Sequence, residues 1–153
     1  MAEPSEIPAA LAPKYRMNGL YVKDISFENP LAPGIFIKQI EKPGMSVNVD
    51  VNILKLQEST YEVSLKITAR ADAPDSKAVF LIELVYAGIF SLSPTLSQAE
   101  HDKILLVDCA SYIFPFARRL IADLVQEGGF PPLLLEPINF EAVYIARQGN
   151  QAA

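Results

Sequence analysis

Only two residues in this 153-residue chain invite nucleophilic or metal chemistry, and each is the sole one of its kind: Cys109 and His101. Eight positions apart on one helix, they stand about 12 Å apart along its axis, too far for a thiolate–imidazole pair. One cysteine and one histidine cannot build a Cys/His zinc cluster. They read as a small buried thiol and a solvated helix histidine. No G-x-G-x-x-G, G-x-x-x-x-G-K-[ST], G-x-S-x-G or H-E-x-x-H occurs. Paired carboxylates such as Asp24 and Glu28 have the residue types of an acid–base couple, but nothing in their surroundings predicts a shifted pKa, and they read as solvated charge. These residues point away from an enzyme and require no metal or cofactor.

What remains to be explained is an odd balance. The chain is 50% hydrophobic and 20% charged, yet its 13 Lys plus Arg against 18 Asp plus Glu leave a net charge of −5. Its mean hydropathy is +0.20 and its pI about 4.9. The length suits one domain with one core. Disorder is excluded by the apolar content, and the acidity argues against nucleic acid. The longest apolar runs, Ala78–Ile82 and Leu84–Ile89, are split by Glu83 and fall far short of the ~20 residues a bilayer needs. A single cysteine permits no intrachain disulfide, and the start MAEPSEIPAALAPKYR lacks a secretory signal, so a cytoplasmic protein is expected. The surplus hydrophobicity belongs in a core, a subunit interface or a surface that binds something apolar.

The elements that must position these residues follow from periodicity. Residues 1–17, with three prolines, read as a flexible arm. Leu20–Glu28 alternates, with Tyr21, Lys23, Ile25 and Phe27 on one face and Leu20, Val22, Asp24, Ser26 and Glu28 on the other. Turn residues Asn29-Pro30 and Pro33-Gly34 lead into a short mixed segment, Gly34–Lys42. Met45–Leu56 and Tyr61–Ala71 are strands with one wet face, joined by a hairpin at 57–60. Lys77–Phe90 is apolar on both faces apart from Glu83, so it needs cover on both sides.

Ser97-x-x-Glu100 opens a helix over Ser97–Asp108, and Ser111–Glu127 continues as a helix with the stripe Ile113, Phe116, Ala117, Leu120, Ile121 and Leu124. Pro115 is read near that helix's start, where proline is tolerated. The pattern leaves open whether 97–127 is one kinked helix or two. Gly128-Gly129 stop it, Phe130–Pro137 is an extended crossing, and Asn139 caps a last helix to about Gln148. The expectation is an α+β fold, a four-stranded antiparallel sheet followed by two main helices. One domain spans 18–148, with a flexible tail at 149–153.

Five segments in order, Tyr21-Val-Lys-Asp-Ile-Ser-Phe-Glu-Asn-Pro30, Tyr86-Ala-Gly-Ile-Phe90, Ile113-Phe-Pro-Phe-Ala-Arg118, Gly129-Phe-Pro-Pro132 and Pro137-Ile-Asn-Phe-Glu-Ala-Val-Tyr144, resemble the bacterial protein-export chaperone SecB. The resemblance covers roughly residues 18–146. It implies an ATP-independent holdase that binds unfolded precursor proteins, keeps them translocation-competent and hands them to the motor ATPase SecA. It implies no cofactor, and a homotetramer built as a dimer of dimers. By motif position it puts SecA binding on Asp24, Glu28, Leu81 and Glu83, and a client-binding groove on Phe36, Ile40, Phe140 and Tyr144. Family members often carry a tryptophan in the crossing segment; this chain has none, and Ile40 stands where it is expected. The tail Gly149–Ala153 lacks the acidic run that some members show.

Beside these implications stand plainer readings. Asp24 and Glu28 would also serve simply to keep a sheet face soluble, and each groove residue would serve equally in a core. Two other classes fit the composition: a small carrier enclosing an apolar ligand, and a purely structural oligomer subunit.

Overall fold

The computed structural model describes residues 14–38 and 41–152. Four strands, β1 (Tyr15–Glu28), β2 (Gly44–Gln57), β3 (Thr60–Asp72) and β4 (Ala78–Leu92), form one antiparallel sheet in the order β1-β4-β3-β2. The α+β reading holds. β1 starts at Tyr15 rather than Leu20, so the last residues of the expected arm are strand; residues 1–13 lie outside the described residues. The β2–β3 hairpin turns at Glu58 and Ser59, where Ser59 takes a φ of 58° between the paired Gln57 and Thr60.

The apolar alternation of β3 buries Val63, Leu65, Ile67 and Ala69. Each faces a residue of β4, with Leu65 opposite Tyr86, Ile67 opposite Leu84 and Ala69 opposite Ile82. Helices cover this face of the sheet. α1 (Gln98–Lys103) begins with the expected capping box, Ser97 accepting from the Glu100 N–H while Glu100 accepts from that of Ser97. It runs without a break through a π-helical stretch, Ile104–Cys109, into α2 (Ala110–Glu127). The helical run is therefore single, and Pro115 is the sixth residue of α2, well inside it.

The buried stripe of α2 is Ala110, Ile113, Phe114, Ala117, Ile121 and Val125. Phe114 takes the place expected for Phe116, which instead stands 45% exposed beside Tyr112. α3 (Phe140–Ala152) is capped as expected, with the Ala142 N–H donating to Asn139 Oδ1 at 3.0 Å, but it runs past Gln148 through residue 152.

His101 departs from its expected solvated state. It is buried, with Nε2 2.9 Å from the Ser93 carbonyl oxygen and Nδ1 3.1 Å from the Tyr61 hydroxyl. A carbonyl only accepts, so Nε2–H donates to Ser93, and in the neutral ring this leaves Nδ1 to accept from the Tyr61 hydroxyl. Cys109 is buried as expected, and burial followed by the neighbouring Asp108 pushes its thiol pKa well up, which removes it as a nucleophile.

Candidate functional site

Strand register settles which residues share a surface. On the face away from the helices, Glu28 lies opposite Leu81, Ser26 opposite Glu83 and Asp24 opposite Val85. From the other side, β3 sets Arg70 opposite Leu81, Thr68 opposite Glu83 and Lys66 opposite Val85. Directly opposed residues in an antiparallel pair point to the same face. Asp24, Glu28, Leu81 and Glu83 thus form one patch; its three carboxylate residues are exposed and Leu81 is half-buried.

A slip in β1 produces this arrangement. The register shifts between Val22 and Asp24, leaving Lys23 as an extra, bulged residue. A one-residue slip moves every later side chain to the opposite face. Leu20 and Val22 therefore join Ile25 and Phe27 on the helix side, opposite Gly88, Tyr86, Leu84 and Ile82. Tyr21, opposite Ala87, joins Asp24 on the open side. The uninterrupted alternation expected for residues 20–23 is corrected on this point.

Tyr21 and Lys23 close over a buried acid. Glu62 lies on the open face of β3, its side chain 9% exposed, accepting from the Tyr21 hydroxyl and, at 2.9 Å, from Lys23 Nζ. Burial alone would raise the Glu62 pKa; the Tyr21 hydroxyl and the Lys23 ammonium outweigh it and hold the carboxyl below its ordinary value. Burial, and then the bond to Glu62, pushes Tyr21 up to about 12. Two opposed charges are thereby spent on each other, as are Arg70 and Asp72 at 2.6 Å. Among the described residues Asp24, Glu28 and Glu83 form no salt bridge. The open face carries an acidic strip along β1 and β4, bordered on β3 by Lys66 and Arg70. Such a strip attracts a basic element and raises its on-rate.

A second, apolar surface lies around the segment after β1. There a 3-10 turn (Gly34–Phe36) presents Phe36, 51% exposed, against Phe130 with ring centroids 5.4 Å apart. Phe130 is 5.4 Å from Phe80, and Phe80 is 6.2 Å from Phe27, so an aromatic row runs from the core to the surface. The glycines after α2 make this approach possible. Gly129 has a φ of +93°, and a Cβ there would stand 2.8 Å from the Phe36 ring. Asn29 Nδ2 donates to the Gly128 carbonyl at 2.9 Å and ties the segment down.

The resulting cleft, about 190 Å³, is mainly apolar, lined by Ile35, Phe36, Pro43, Val79, Gly129 and Phe130 together with Lys38 and Glu41. A neighbouring cleft of about 380 Å³ shares Ile35 and Lys38 with it and is bordered by Leu31, Ala73 and Pro74.

Of the expected groove residues among the described ones, only Phe36 lines this cleft. Phe140 is buried against Phe114 at 6.0 Å, Tyr144 is half-buried on the core, and Ile40 lies outside the described residues. Phe130, Ile35 and Val79 were not anticipated; the Gly-Gly pair directly before an aromatic was their one sequence signal. Exposed Val22 on β1 and Phe116 on α2 line one further cleft, and Phe116 stands beside exposed Tyr112; Ile25 on β1 is exposed as well. Among the described residues no cluster of His, Cys, Asp and Glu could hold a metal ion, and no helix is long and apolar enough to cross a membrane.

Residues 9–151 match the family model described as preprotein translocase subunit SecB. A protein-export protein SecB of Parvibaculum lavamentivorans is 44% identical over 136 residues, 89% of this chain and 80% of that protein. One of Paramagnetospirillum magneticum is 40% identical over 150 residues, 97% of this chain and 95% of that protein. Among solved structures, a SecB-like chaperone of Mycobacterium tuberculosis in complex with a ChAD peptide from an antitoxin superposes with a TM-score of 0.60. It covers 82% of this chain and 91% of its own at 12% identity, a likeness of fold.

Proposed function

The chain belongs to the SecB family of protein-export chaperones, and from that premise we propose that it is an ATP-independent holdase. It binds unfolded precursor proteins in the cytoplasm, keeps them translocation-competent and delivers them to the SecA motor ATPase. The observation that carries this reading is the separation of two surfaces of opposite chemistry. Asp24, Glu28, Leu81 and Glu83 share the open sheet face, while Phe36 and Phe130 border an apolar cleft at the turn after β1.

Each surface has a physical task. Unfolded clients expose apolar segments, and burying them yields ~25 cal/mol per Å² without sequence complementarity. A protein that binds the unfolded state and not the native one holds back folding by mass action. Client contact is assigned to Phe36 with Ile35 and Phe130, over a floor that includes buried Val79, with Ile40 and Tyr144 proposed from the family resemblance. Phe140, buried under Phe114, acts by holding α3 in place. The acidic strip around Leu81 is the docking site for a basic element of SecA, binding by charge steering and a small apolar contact. No step requires catalysis or a cofactor.

Assembly as a homotetramer, a dimer of dimers, is supported by the exposed Val22, Ile25, Tyr112 and Phe116. It would place several clefts on one particle, so that one long client gains avidity. The carrier alternative needs an enclosed cavity, whereas the cleft beside Phe36 is bordered by a half-exposed aromatic. Size-exclusion light scattering followed by a refolding-delay assay tests the proposal. The expected result is a particle of four times 16.8 kDa that slows refolding of a precursor. A monomer that leaves refolding rates untouched overturns it.

A further inference from the structure

Six asparagines occur in the chain, and Asn18 alone precedes a glycine. An asparagine carboxamide lies close to the backbone nitrogen of the next residue, which can attack it when nothing crowds or holds that nitrogen. The other five fail this condition for separate reasons. Pro30, after Asn29, has no N–H to lose. Asn48 and Asn52 precede β-branched Val49 and Ile53 and are paired in the sheet opposite Thr68 and Ser64. Asn139 Oδ1 is engaged as the cap of α3, ahead of Phe140, and Asn150 is followed by Gln151 inside that helix.

Asn18 meets the condition. The β1–β4 register steps from Met17 opposite Phe90 to Gly19 opposite Ile89, so Asn18 is a second bulged residue with no partner of its own. It is exposed, and its Nδ2 donates to Ser91 Oγ at 2.7 Å. Gly19 offers an unshielded nitrogen: a Cβ there would meet nothing within 4 Å. β1 is an edge strand, and among the described residues no strand holds its outer side. Opening this end of β1 therefore disturbs its pairing with β4 alone among the strands.

We propose that Asn18-Gly19 is a site of spontaneous covalent modification, which converts Asn18 to aspartate and isoaspartate with water as co-reactant. Hydroxide removes the Gly19 amide proton, and the nitrogen adds to Asn18 Cγ. The bond from Cγ to Nδ2 breaks, and its electron pair leaves as ammonia after taking a proton from water, which regenerates hydroxide. Water then opens the cyclic imide. Attack at Cγ gives aspartate; attack at the main-chain carbonyl gives isoaspartate, whose backbone runs through Cβ and Cγ and is one methylene longer. Either product sets a carboxylate where the donor to Ser91 stood, two residues from Arg16. Isoaspartate also lengthens the chain. It thereby shifts Met17 from its place opposite Phe90 and Tyr15 from its edge-on packing against Phe90, where ring centroids are 5.8 Å apart. This chemistry is independent of the chaperone reading.

The test ages the full-length protein at neutral and mildly alkaline pH and follows the tryptic peptide Met17–Lys23 by mass spectrometry. That peptide should exchange NH2 for OH, faster at the higher pH, with one oxygen drawn from oxygen-labelled water. An isoaspartyl methyltransferase with a labelled methyl donor should methylate the same peptide. Gly19→Ala has room for its methyl group and no left-handed backbone to strain it, and should abolish both signals. Asn18→Asp carries the charge without the longer backbone. Its Tyr15–Met17 segment should keep the amide protection of fresh wild type, whereas the isoaspartate form should lose it.

If Met17–Lys23 stays unmodified in the folded protein while the same synthetic peptide is converted in the same buffer, the proposal is overturned. Conversion of Gly19→Ala at the wild-type rate, or equal conversion at Asn48 and Asn52, overturns it as well. Isoaspartate that leaves Tyr15–Met17 fully protected refutes the loosening of β1.

Discussion

Replacing Glu62 by Gln tests how the open face of the sheet is built, because this one carboxylate gathers both Tyr21 and Lys23 at the β1 bulge. Hydrogen bonds to a charged group contribute about 1.5–3 kcal/mol. Lys23 is 44% exposed, so its share is discounted toward the about 0–1 kcal/mol of a surface pair. The Gln side chain can still accept from Tyr21 while setting an NH2 group against the ammonium. The expected cost at pH 7 is therefore about 1–2 kcal/mol, below the penalty for stranding a fully buried charge.

The pH dependence supplies the sharper test. The folded-state pKa of Glu62 lies below its ordinary 4.5, so its stabilisation is complete above that value and is lost as pH falls through the folded pKa. Urea unfolding of wild type and Glu62→Gln, followed by circular dichroism at one fixed protein concentration, should show the full gap at pH 7. The gap should close progressively below about pH 4.5. A gap that is absent at pH 7, or that persists unchanged into strong acid, would refute the view that an ionised Glu62 holds the bulge.

Three further outcomes are expected. Gly129→Ala places a Cβ 2.8 Å from the Phe36 ring at a φ of +93°, so it should cost about 1–3 kcal/mol and lower client affinity; unchanged client binding would show that Phe36 does not occupy the cleft in solution. Ser97→Ala removes the cap of the long helical run and should cost about 1 kcal/mol in thermal unfolding. Tyr61→Phe leaves buried His101 Nδ1 without its donor and should cost about 1–3 kcal/mol in urea unfolding, where a cost near zero would contradict the assigned tautomer.

Much of the sheet could be read in advance because each strand records its own faces. The alternation at Val47, Val49 and Val51, or at Val63, Leu65 and Ile67, needs no knowledge of a neighbour. The β1 bulge was also written there, since the apolar positions run Leu20, Val22 and then Ile25, Phe27, a change of parity at Lys23. Reading the segment as one uninterrupted strand hid it. The capture of Glu62 by Tyr21 and Lys23 was not readable, because it depends on pairing across β4 between residues 41 and 39 positions apart. His101 likewise owes its burial to Tyr61 and Ser93, not to its own helix. On α2, Phe114 is buried instead of Phe116 because it packs against Phe140 of α3, a contact that the helix's own periodicity does not contain. The acidic patch could be named by resemblance; that its members are directly opposed followed only from the register.

The claim that organises all of this is that one surface serves the motor and another serves the client. Fluorescence titrations of wild type, Glu83→Lys and Phe36→Ser against SecA and against a carboxymethylated unfolded protein test it directly. Glu83→Lys should weaken SecA binding by roughly tenfold while client affinity stays within about twofold, since reversing a charge in the acidic strip leaves the cleft untouched. Phe36→Ser should do the reverse. If each variant loses both partners in parallel, the two surfaces are one, and the division of labour proposed here is wrong.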